Sequence, residues 1–479
     1  MDKVLKFPPE PIRHRRLPLD LRAPGEPWQA RRAHGKALRE QVPRESHAEW
    51  KPPRNRPNPL ALLEQSNRGR LTHLVPLRMG RMAISPFTFL RGAAVVMAWD
   101  LAQSPVSGLN VVIDGDAHIN NFGLFGTPQR DVIFDLNDFD EAVVGPWEWD
   151  LKRLVASVNV AGREKGLSRR LRADAVMNCV AGYRWNAGRL ESMGVLETWY
   201  LHAFADRKLN GFSGGPRGQA ELAAVLQKAV AKAMQQTNQG LLMKIAERSV
   251  SGAWRLRQDQ LLTRIDAATK EKVIDGLHLY GDSLTRERRY MLSRYHVADV
   301  AHRVVGVGSV GTRAYLALLF GNGDDDPLFL QVKEAVAPAH GPYVPPLPEA
   351  ARHHGMRVVT GQRALQAASD VLLGWTTIEG QPFFVRQMKN MKGSIPVGPL
   401  SGAGFEFYSW ACGALLARAH ARTGDAAVIA GYCGNSTVLD EALAQWAEAY
   451  GNQTENDHRL LVAAIKRGRI KAAAGGAAA

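Results

Sequence analysis

The segment over residues 304–320, VVGVGSVGTRAYLALLF, constrains the fold more than any other part of the chain. It carries glycines at Gly306, Gly308 and Gly311, with branched residues before them and branched or aromatic residues after them. A glycine loop that binds a dinucleotide runs from a strand into a helix. Here the residues after Gly311 indicate a second strand instead. The segment is therefore predicted to be a β-hairpin, and a glycine-rich turn without a ligand is the alternative to a phosphate-binding loop.

The next predicted strand favours the phosphate-binding alternative. Residues 328–335, LFLQVKEA, contain a single lysine, Lys333. In protein kinases a glycine-rich hairpin covers the ATP phosphates, and a lysine from the following strand contacts them. A lone lysine on a strand more often faces solvent. The hairpin and the lysine together predict a nucleotide-binding group, which consists of Gly306, Gly308, Ser309, Gly311 and Lys333.

A second chemical cluster lies earlier, in DGDAHINNFG (114–123) and FDLNDFDE (134–141). Crowded carboxylates raise one another's pKa unless a cation is present, and Asp and Asn oxygens suit Mg²⁺. Phosphotransferases of the protein-kinase type use one Asp for the acceptor hydroxyl, and an Asn and another Asp for metal. The alternative is an acidic loop that caps helices or binds Ca²⁺ adventitiously. Seven carboxylates fall within the 28 residues 114–141: Asp114, Asp116, Asp131, Asp135, Asp138, Asp140 and Glu141.

The distribution of helical and strand patterns predicts an α+β chain. Strands are predicted before each acidic loop, at 109–113 and 131–136, and the period is helical from 149 to about 294. Strands return near 297. Further predicted elements are helices over 59–70, 86–103, 350–373, 406–421 and 439–450, a strand over 327–335 and a hairpin over 376–388.

Composition excludes several classes of protein. Apolar residues make up 45% and charged residues 22% of the 479 residues, as in a globular protein with a core. Three cysteines cannot form a disulfide framework, which favours a reducing compartment. No run of about 18 apolar residues and no secretory signal are present, so we expect a cytoplasmic protein that does not cross a membrane.

The net charge of +15 is concentrated at the N-terminus. Residues 1–60 hold 14 Lys and Arg against 7 Asp and Glu, and 11 of the 26 prolines. This predicts an extended, weakly structured basic arm, either solvated or lying as a strap on the folded part. Nucleic-acid binding through the arm ranks last, because no recognition motif or aromatic-interleaved basic patch accompanies it.

Several long motifs resemble a bacterial family known only as domain of unknown function 2252, over roughly residues 45–470. That family is distantly similar to the protein-kinase-like superfamily, particularly to aminoglycoside and choline phosphotransferases. The motifs are SPFTFLRGAA (85–94), GDAHINNFG (115–123), NDFDE (137–141), GPWEWDLKRL (145–154), VVGVGSVGTR (304–313) and LLARAHAR (415–422).

The resemblance implies roles for residues of the first acidic loop. GDAHINN at 115–121 resembles the HGDxHxxN catalytic loop of phosphotransferases, which implies Asp116 as the catalytic base and Asn121 as a metal ligand. Asp114 replaces the leading histidine of that motif, and His118 is expected to support the loop.

The second acidic loop resembles the metal-binding DFG or IDxD segment. This implies Asp138 as a metal ligand, with Asp135 as its rival and Asp140 in a supporting role. The distance of 12 positions to Asp150 resembles the spacing to a structural Asp at the start of the following helix. The helix carboxylate that pairs with the strand lysine in kinases has no clear counterpart in this sequence.

The order of these parts is reversed relative to a kinase, in which the glycine loop and lysine precede the catalytic loop. We therefore expect a circularly permuted, protein-kinase-like fold of two lobes. The predicted parts are the arm (1–60), a helical lobe with the catalytic and metal loops (61–295), a small β lobe (296–400), C-terminal helices (401–471) and a disordered tail (472–479).

The predicted function is an ATP- and Mg²⁺-dependent phosphotransferase acting on the hydroxyl group of an unidentified small-molecule or protein acceptor. The alternative is a nucleotide-binding pseudokinase that acts through contacts with partners.

Overall fold

The computed structural model describes residues 25–203, 215–304, 306–345, 353–388 and 391–473. Residues 1–24 of the predicted arm and 474–479 of the predicted tail lie outside these ranges. The described chain is a mixed α+β protein, as predicted. Its helices are α1 Trp28–Gln41, α2 Pro59–Ser66, α3 Val75–Met82, α4 Pro86–Gly92, α5 Ala94–Leu101, α6 Trp147–Glu164, α7 Arg169–Leu190, α8 Val195–Tyr200, α9 Gln219–Met234, α10 Asn238–Ile245, α11 Ala267–Tyr280, α12 Arg286–Leu292, α13 His354–Leu365, α14 Gly402–Ala421, α15 Ala426–Cys433 and α16 Val438–Lys466.

The strands form several antiparallel sheets. The largest has six strands in the order β11-β12-β10-β9-β8-β7, and smaller sheets pair β1 with β4, β5 with β6, and β13 and β3 with β2. The strands are β1 Asn110–Ile113, β2 Phe122–Gly126, β3 Val132–Leu136, β4 Val143–Pro146, β5 Ala246–Arg248, β6 Trp254–Leu256, β7 Leu262–Arg264, β8 His296–Arg303, β9 Ala314–Phe320, β10 Pro327–Glu334, β11 Gly374–Ile378, β12 Gln381–Gln387 and β13 Gly393–Ser394.

The glycine-rich segment joins two antiparallel neighbours, β8 and β9, so the predicted hairpin is confirmed. Side chains alternate between the two faces of β10. Leu330 and Val332 contribute to the core on one face, whereas Phe329 lies in the core on the other. Lys333 shares the face of Phe329, because the two are separated by an even number of positions.

A second, larger core is formed by helices α6, α7, α14 and α16 together with the small sheets. Helix α6 is buried from its first turn to Gly162. Helices α7 and α14 cross at close range because both have glycine at the contact. A Cβ atom on Gly182 would lie 2.1 Å from the Trp410 carbonyl oxygen, and one on Gly413 would lie 1.9 Å from that of Cys179.

The described part of the predicted basic arm differs from the expectation of an extended chain. Residues 28–41 form helix α1, which packs on α15 where Gly35 meets the backbone of Val428. In the 3-10 helix that follows, Arg44–Ala48, His47 Nε2 lies 2.7 Å from the Tyr432 hydroxyl. The prolines of this segment flank helix α1 and do not interrupt it. The packing of α1 on α15 holds the segment against the rest of the protein.

The segment predicted as continuously helical, 149–294, also differs. It contains β5, β6 and β7, and β7 forms the edge of the six-stranded sheet. Helix α11 packs on the same sheet through Val273 and Tyr280. The elements associated with this sheet therefore begin before the expected boundary at residue 296. Strands of three residues are too short to show an alternating pattern.

Within the described ranges, none of the helices combines the length and the apolar character needed to span a lipid bilayer.

Candidate active site

A cavity of about 760 Å³ lies between the six-stranded sheet and the helical core. Its described lining includes eight basic and five acidic side chains, so the balance of charge on its wall is +3. The acidic loops, the glycine loop and β10 all contribute to it: Asp116, His118, Asp138 and Asp140, together with Gly306, Gly308, Ser309 and Lys333.

Asp150, in the first turn of α6, fixes the start of the first acidic loop. Its carboxylate accepts hydrogen bonds from the backbone N–H groups of Asp114 (2.7 Å) and Gly115 (2.9 Å), and His420 lies 3.1 Å away. Gly115 has φ +76°, and a Cβ atom there would lie 2.4 Å from the Glu141 carbonyl oxygen. The two acidic loops therefore approach each other at a position that only glycine can occupy.

Asp116 reaches the cavity and is held from below by Arg153 of α6. The guanidinium group donates through Nε (2.9 Å) and Nη2 (2.6 Å) to Asp116 Oδ1, and Nη2 also donates to the Leu90 carbonyl. Burial raises the pKa of Asp116 to about 7, although the charge of Arg153 opposes this rise. Asp116 is thus a fixed carboxylate that can take up a proton near neutral pH.

Asn121 ties the two acidic loops together beneath the cavity. Its side-chain nitrogen donates to Asp114 Oδ1 (3.1 Å) and to the backbone oxygens of Asp116 (3.3 Å) and Asp138 (3.0 Å). These bonds leave the amide oxygen as the atom that could bind a metal. Asn121 itself is not part of the cavity lining.

The second acidic loop meets the six-stranded sheet directly. Lys333 of β10 forms an ion pair with Asp140 Oδ2, and Ser309 Oγ of the glycine loop donates to the same oxygen at 2.9 Å. The lysine is buried with 3% exposure. One carboxylate therefore contacts both predicted parts of the nucleotide-binding group.

Asp138 lies beside this contact in a strongly positive environment. Burial would raise the pKa of its carboxyl group, but the charges of Lys333, Arg386 and Lys392 lower it to about 2. Oδ1 of Asp138 and Oδ1 of Asp140 are both buried, and neither has a hydrogen-bond partner among the described residues. Two neighbouring carboxyl groups with buried oxygens left over are suited to binding a cation.

Asp114 and Asp135, which were also predicted for the site, do not line the cavity. Asp114 is fully buried, accepts the backbone N–H of Asp116 at 3.1 Å, and has its pKa raised by burial and by Asp150. Asp135 lies outside the cavity lining, forms a buried ion pair with Arg418, and accepts the Ala367 N–H at 3.0 Å.

His118 lines the cavity with Nε2 3.9 Å from Asp116 Oδ2, and within the described part of the chain its Nδ1 has no hydrogen-bond partner. Burial, together with Arg91 and Arg153, lowers the pKa of its imidazole. His118 is therefore neutral near pH 7, which excludes a strong ion pair with Asp116.

The glycine loop rests on the helical part of the molecule. Arg70 Nη1 donates to the Val310 carbonyl at 2.7 Å, and the Leu71 N–H donates to the Gly311 carbonyl at 2.7 Å. A Cβ atom on Gly308 would lie 3.6 Å from the Arg91 carbonyl oxygen. Val305, within this loop, lies outside the described residues.

Helix α13, which follows the lysine strand, carries no Asp or Glu. It contacts the second acidic loop through Arg357, whose guanidinium donates to the carbonyls of Ala142 (2.6 Å) and Asp140 (2.7 Å). The sequence left the partner of Lys333 open. The structure places Asp140 there, and the helix binds the backbone of the same loop.

Most of the basic residues of the cavity were missed by the sequence analysis, among them Arg303, Arg386 and Lys392. Arg303 directly precedes the glycine loop, Arg386 lies near the end of the predicted hairpin and Lys392 follows that hairpin, so proximity to the loop could have indicated only Arg303. Lys152 of α6 is fully buried outside the cavity.

A family model described as "Uncharacterized protein conserved in bacteria (DUF2252)" matches residues 70–464. The chain belongs to this bacterial family. The DUF2252 match spans both acidic loops, the glycine loop and Lys333, so every residue of the candidate site lies within the family region. No curated protein and no solved structure matches the chain.

Among the described residues of this DUF2252 protein, no group of three or more His, Cys, Asp or Glu side chains is arranged to hold a metal ion. Asp138 and Asp140 are a pair. Mg²⁺ in phosphate-transfer sites is commonly bound by only one or two carboxylates, with substrate phosphates and water completing the shell.

Proposed function

We propose that the protein is an ATP- and Mg²⁺-dependent phosphotransferase that acts on a hydroxyl group. The observation that carries this proposal is the ion pair between Lys333 and Asp140. It joins the strand after a glycine-rich hairpin to a loop rich in carboxylates, inside one cavity that also contains Asp116. Phosphoryl transfer requires these parts to converge on one triphosphate.

The succession of elements supports a circularly permuted, kinase-like arrangement. The chain passes from the glycine loop to the lysine strand β10 and then to helix α13, in the order found in kinases. The two acidic loops precede this unit in sequence, yet Asp140 and Lys333 are in contact across 193 positions. Function depends on this convergence in space and not on the order along the chain.

The free oxygens of Asp138 and Asp140 fit a hard cation. Mg²⁺ would be held by Asp138 and by the amide oxygen of Asn121, with Asp140 beside them. When bound, the ion would neutralise charge on the triphosphate. Lys333 and the backbone of the glycine loop would bind phosphate oxygens from the side of the sheet.

Asp116 would accept the proton of the acceptor hydroxyl. Its pKa of about 7 makes the carboxylate a useful base at neutral pH, and Arg153 holds it in one orientation. The basic side chains of the cavity would stabilise negative charge as it develops on the transferred group. Catalysis would come mainly from positioning and charge neutralisation.

One observation favours the second candidate, a pseudokinase that binds nucleotide without transferring phosphate. Lys333 pairs with Asp140 of the acidic loop and not with a carboxylate of α13. The Ser309 hydroxyl donates a hydrogen bond to the same Asp140 oxygen, Oδ2. Such a protein would bind ATP and act through partners.

Binding and turnover of ATP measured on the same samples separate the two candidates. The variant Asp116→Asn keeps the shape of the side chain, and Asp131→Asn, in the turn before β3 and outside the cavity, is the matched control. The phosphotransferase predicts Mg²⁺-dependent turnover that Asp116→Asn lowers by about 10²- to 10⁴-fold, with nucleotide affinity preserved. A pseudokinase would bind ATP, but turnover would be equally low in all three proteins. Absence of ATP binding to the wild type would contradict both.

A further inference from the structure

Three basic side chains converge on one wall of the cavity from separate elements. Arg303 ends β8, Arg386 lies near the end of β12, and Lys392 precedes β13. Arg386 pairs across the sheet with Gln331 of β10, two positions before Lys333, so its side chain lies on the same face as the lysine. We refer to Arg303, Arg386 and Lys392 as the basic cluster.

No member of the basic cluster forms an ion pair with a described residue. Arg386 donates to Gln331 Oε1 at 3.1 Å and to the Asn137 carbonyl at 3.3 Å, both uncharged groups. Arg303 contacts the sulfur of Met388. Lys392 has no hydrogen-bond partner among the described residues, and its side chain is exposed.

The three charges repel one another. Burial and Arg386 lower the pKa of Arg303, and Arg386 lowers the pKa of Lys392 to about 7 even though that side chain is open to the cavity. The carboxylate of Asp138 attracts Lys392, and that of Asp259 attracts Arg303. Lys333 is paired with Asp140, so Asp138 and Asp259 are left to offset the three cations of the basic cluster, and the wall keeps an excess of positive charge.

We propose that the basic cluster is a phosphate-binding subsite, separate from Lys333 and the glycine loop, that takes a phosphate or diphosphate group. Two guanidinium groups and one ammonium group match an anion with several oxygens and more than one negative charge, because guanidinium donors bind phosphate in a bidentate manner. A carboxylate ligand would leave most of this charge unpaired. This inference rests on the proposed function, because it assumes that phosphoryl transfer takes place in this cavity.

The phosphate group has two chemical sources. It belongs either to the nucleotide, whose phosphates would then extend from Lys333 towards Arg386, or to a phosphorylated second substrate beside the nucleotide. In both cases the basic cluster itself contacts the phosphate group. We therefore expect the cluster to bind a phosphate chain that carries no nucleoside.

Calorimetric titration of the full chain with inorganic pyrophosphate tests the subsite. The variants are Lys392→Gln, which changes an exposed side chain, and the double variant Arg386→Gln/Lys392→Gln. Lys228→Gln, on the exposed side of α9, is the control for loss of one positive charge. We expect pyrophosphate affinity to fall about threefold or more in the single variant and tenfold or more in the double variant, and to stay within twofold in the control.

A parallel titration with a non-hydrolysable ATP analogue and Mg²⁺ distinguishes the sources. If affinity for the analogue falls with that for pyrophosphate, the nucleotide supplies the phosphate. If only pyrophosphate binding to the analogue-saturated protein falls, a second substrate supplies it. Pyrophosphate affinity that is unchanged in both variants, or absent in the wild type, would overturn the subsite. A wild-type protein that does not turn over ATP would instead overturn the proposed function, while the pyrophosphate result would still stand.

Discussion

Lys333 on β10 and Asp140 in the second acidic loop form an ion pair although 193 positions separate them in the chain. The lysine is buried, and the carboxylate also accepts the hydroxyl of Ser309. This contact ties the six-stranded sheet to the helical part at the centre of the cavity. Substitutions around it therefore test whether the cavity is a nucleotide site.

Replacement of Lys333 by methionine removes the positive charge and keeps most of the side-chain volume. We expect affinity for an ATP analogue to fall by about 1.5–3 kcal/mol, or roughly 10- to 100-fold, because a charged hydrogen bond to phosphate is lost. Lys270→Met is the control for loss of one paired lysine, since Lys270 forms a more exposed ion pair with Asp299 (3.0 Å) away from the cavity. Equal affinity in the two variants would show that Lys333 does not contact the nucleotide.

Asp150→Asn tests whether α6 positions the catalytic loop. The substitution replaces a charged acceptor of two backbone N–H groups with an amide, so we expect the free energy of unfolding to fall by about 2–4 kcal/mol. Displacement of Asp116 should lower kcat by about 100-fold. Unfolding in urea and steady-state kinetics measure the two effects. A variant of full stability and full kcat would show that the loop does not depend on Asp150.

The glycine loop contains two positions that alanine should affect differently. Gly311 has φ +92° and lies against Arg70, so Gly311→Ala should cost about 1–2 kcal/mol of stability. At Gly306 a Cβ atom would meet nothing within 4 Å, so Gly306→Ala should leave stability unchanged. If the loop covers phosphates, the second variant should weaken nucleotide binding instead. Thermal unfolding and nucleotide titration of both variants check this difference, and identical behaviour would contradict it.

Lys152 is buried against Trp446 outside the cavity, and burial lowers the pKa of its ammonium group from 10.5 to about 7. Since the folded pKa lies below the unfolded value, folding releases a proton, and this residue makes stability rise with pH between about 7 and 10.5.

Lys152→Met should therefore stabilise the protein at pH 7 by about 1–4 kcal/mol and flatten that rise with pH. Urea unfolding at pH 7 and pH 9.5 provides the measurement, with the exposed Lys228→Met as control. A less stable variant, or one with weaker nucleotide binding, would show that the ammonium group has a positive role.

Much of the candidate site could be predicted from local patterns. The glycines between two strand-like runs predicted the β8–β9 hairpin, because each half carries its own strand signal. The acidic loops were recognisable from their carboxylates, and a single lysine marked β10. These features depend on neighbours in sequence, which is why they were visible before the fold was known.

The remaining features depend on contacts between distant segments. The partner of Lys333 was sought on the following helix, but α13 has no carboxylate and instead binds the backbone around Asp140 through Arg357. The basic cluster combines three isolated residues that become neighbours only when β8 and β12 join one sheet. The apolar residues of helix α11 recur with a helical period, but this period does not indicate which surface the apolar face of the helix covers.

A crystal structure of the full chain soaked with Mn²⁺ and a non-hydrolysable ATP analogue tests the central claim most directly. We predict an anomalous peak within coordination distance of the Asp138 carboxylate, and analogue phosphates between the glycine loop and the acidic loop, in contact with Lys333. Phosphates bound outside this cavity, or a manganese ion away from Asp138 while the analogue is bound, would contradict the account.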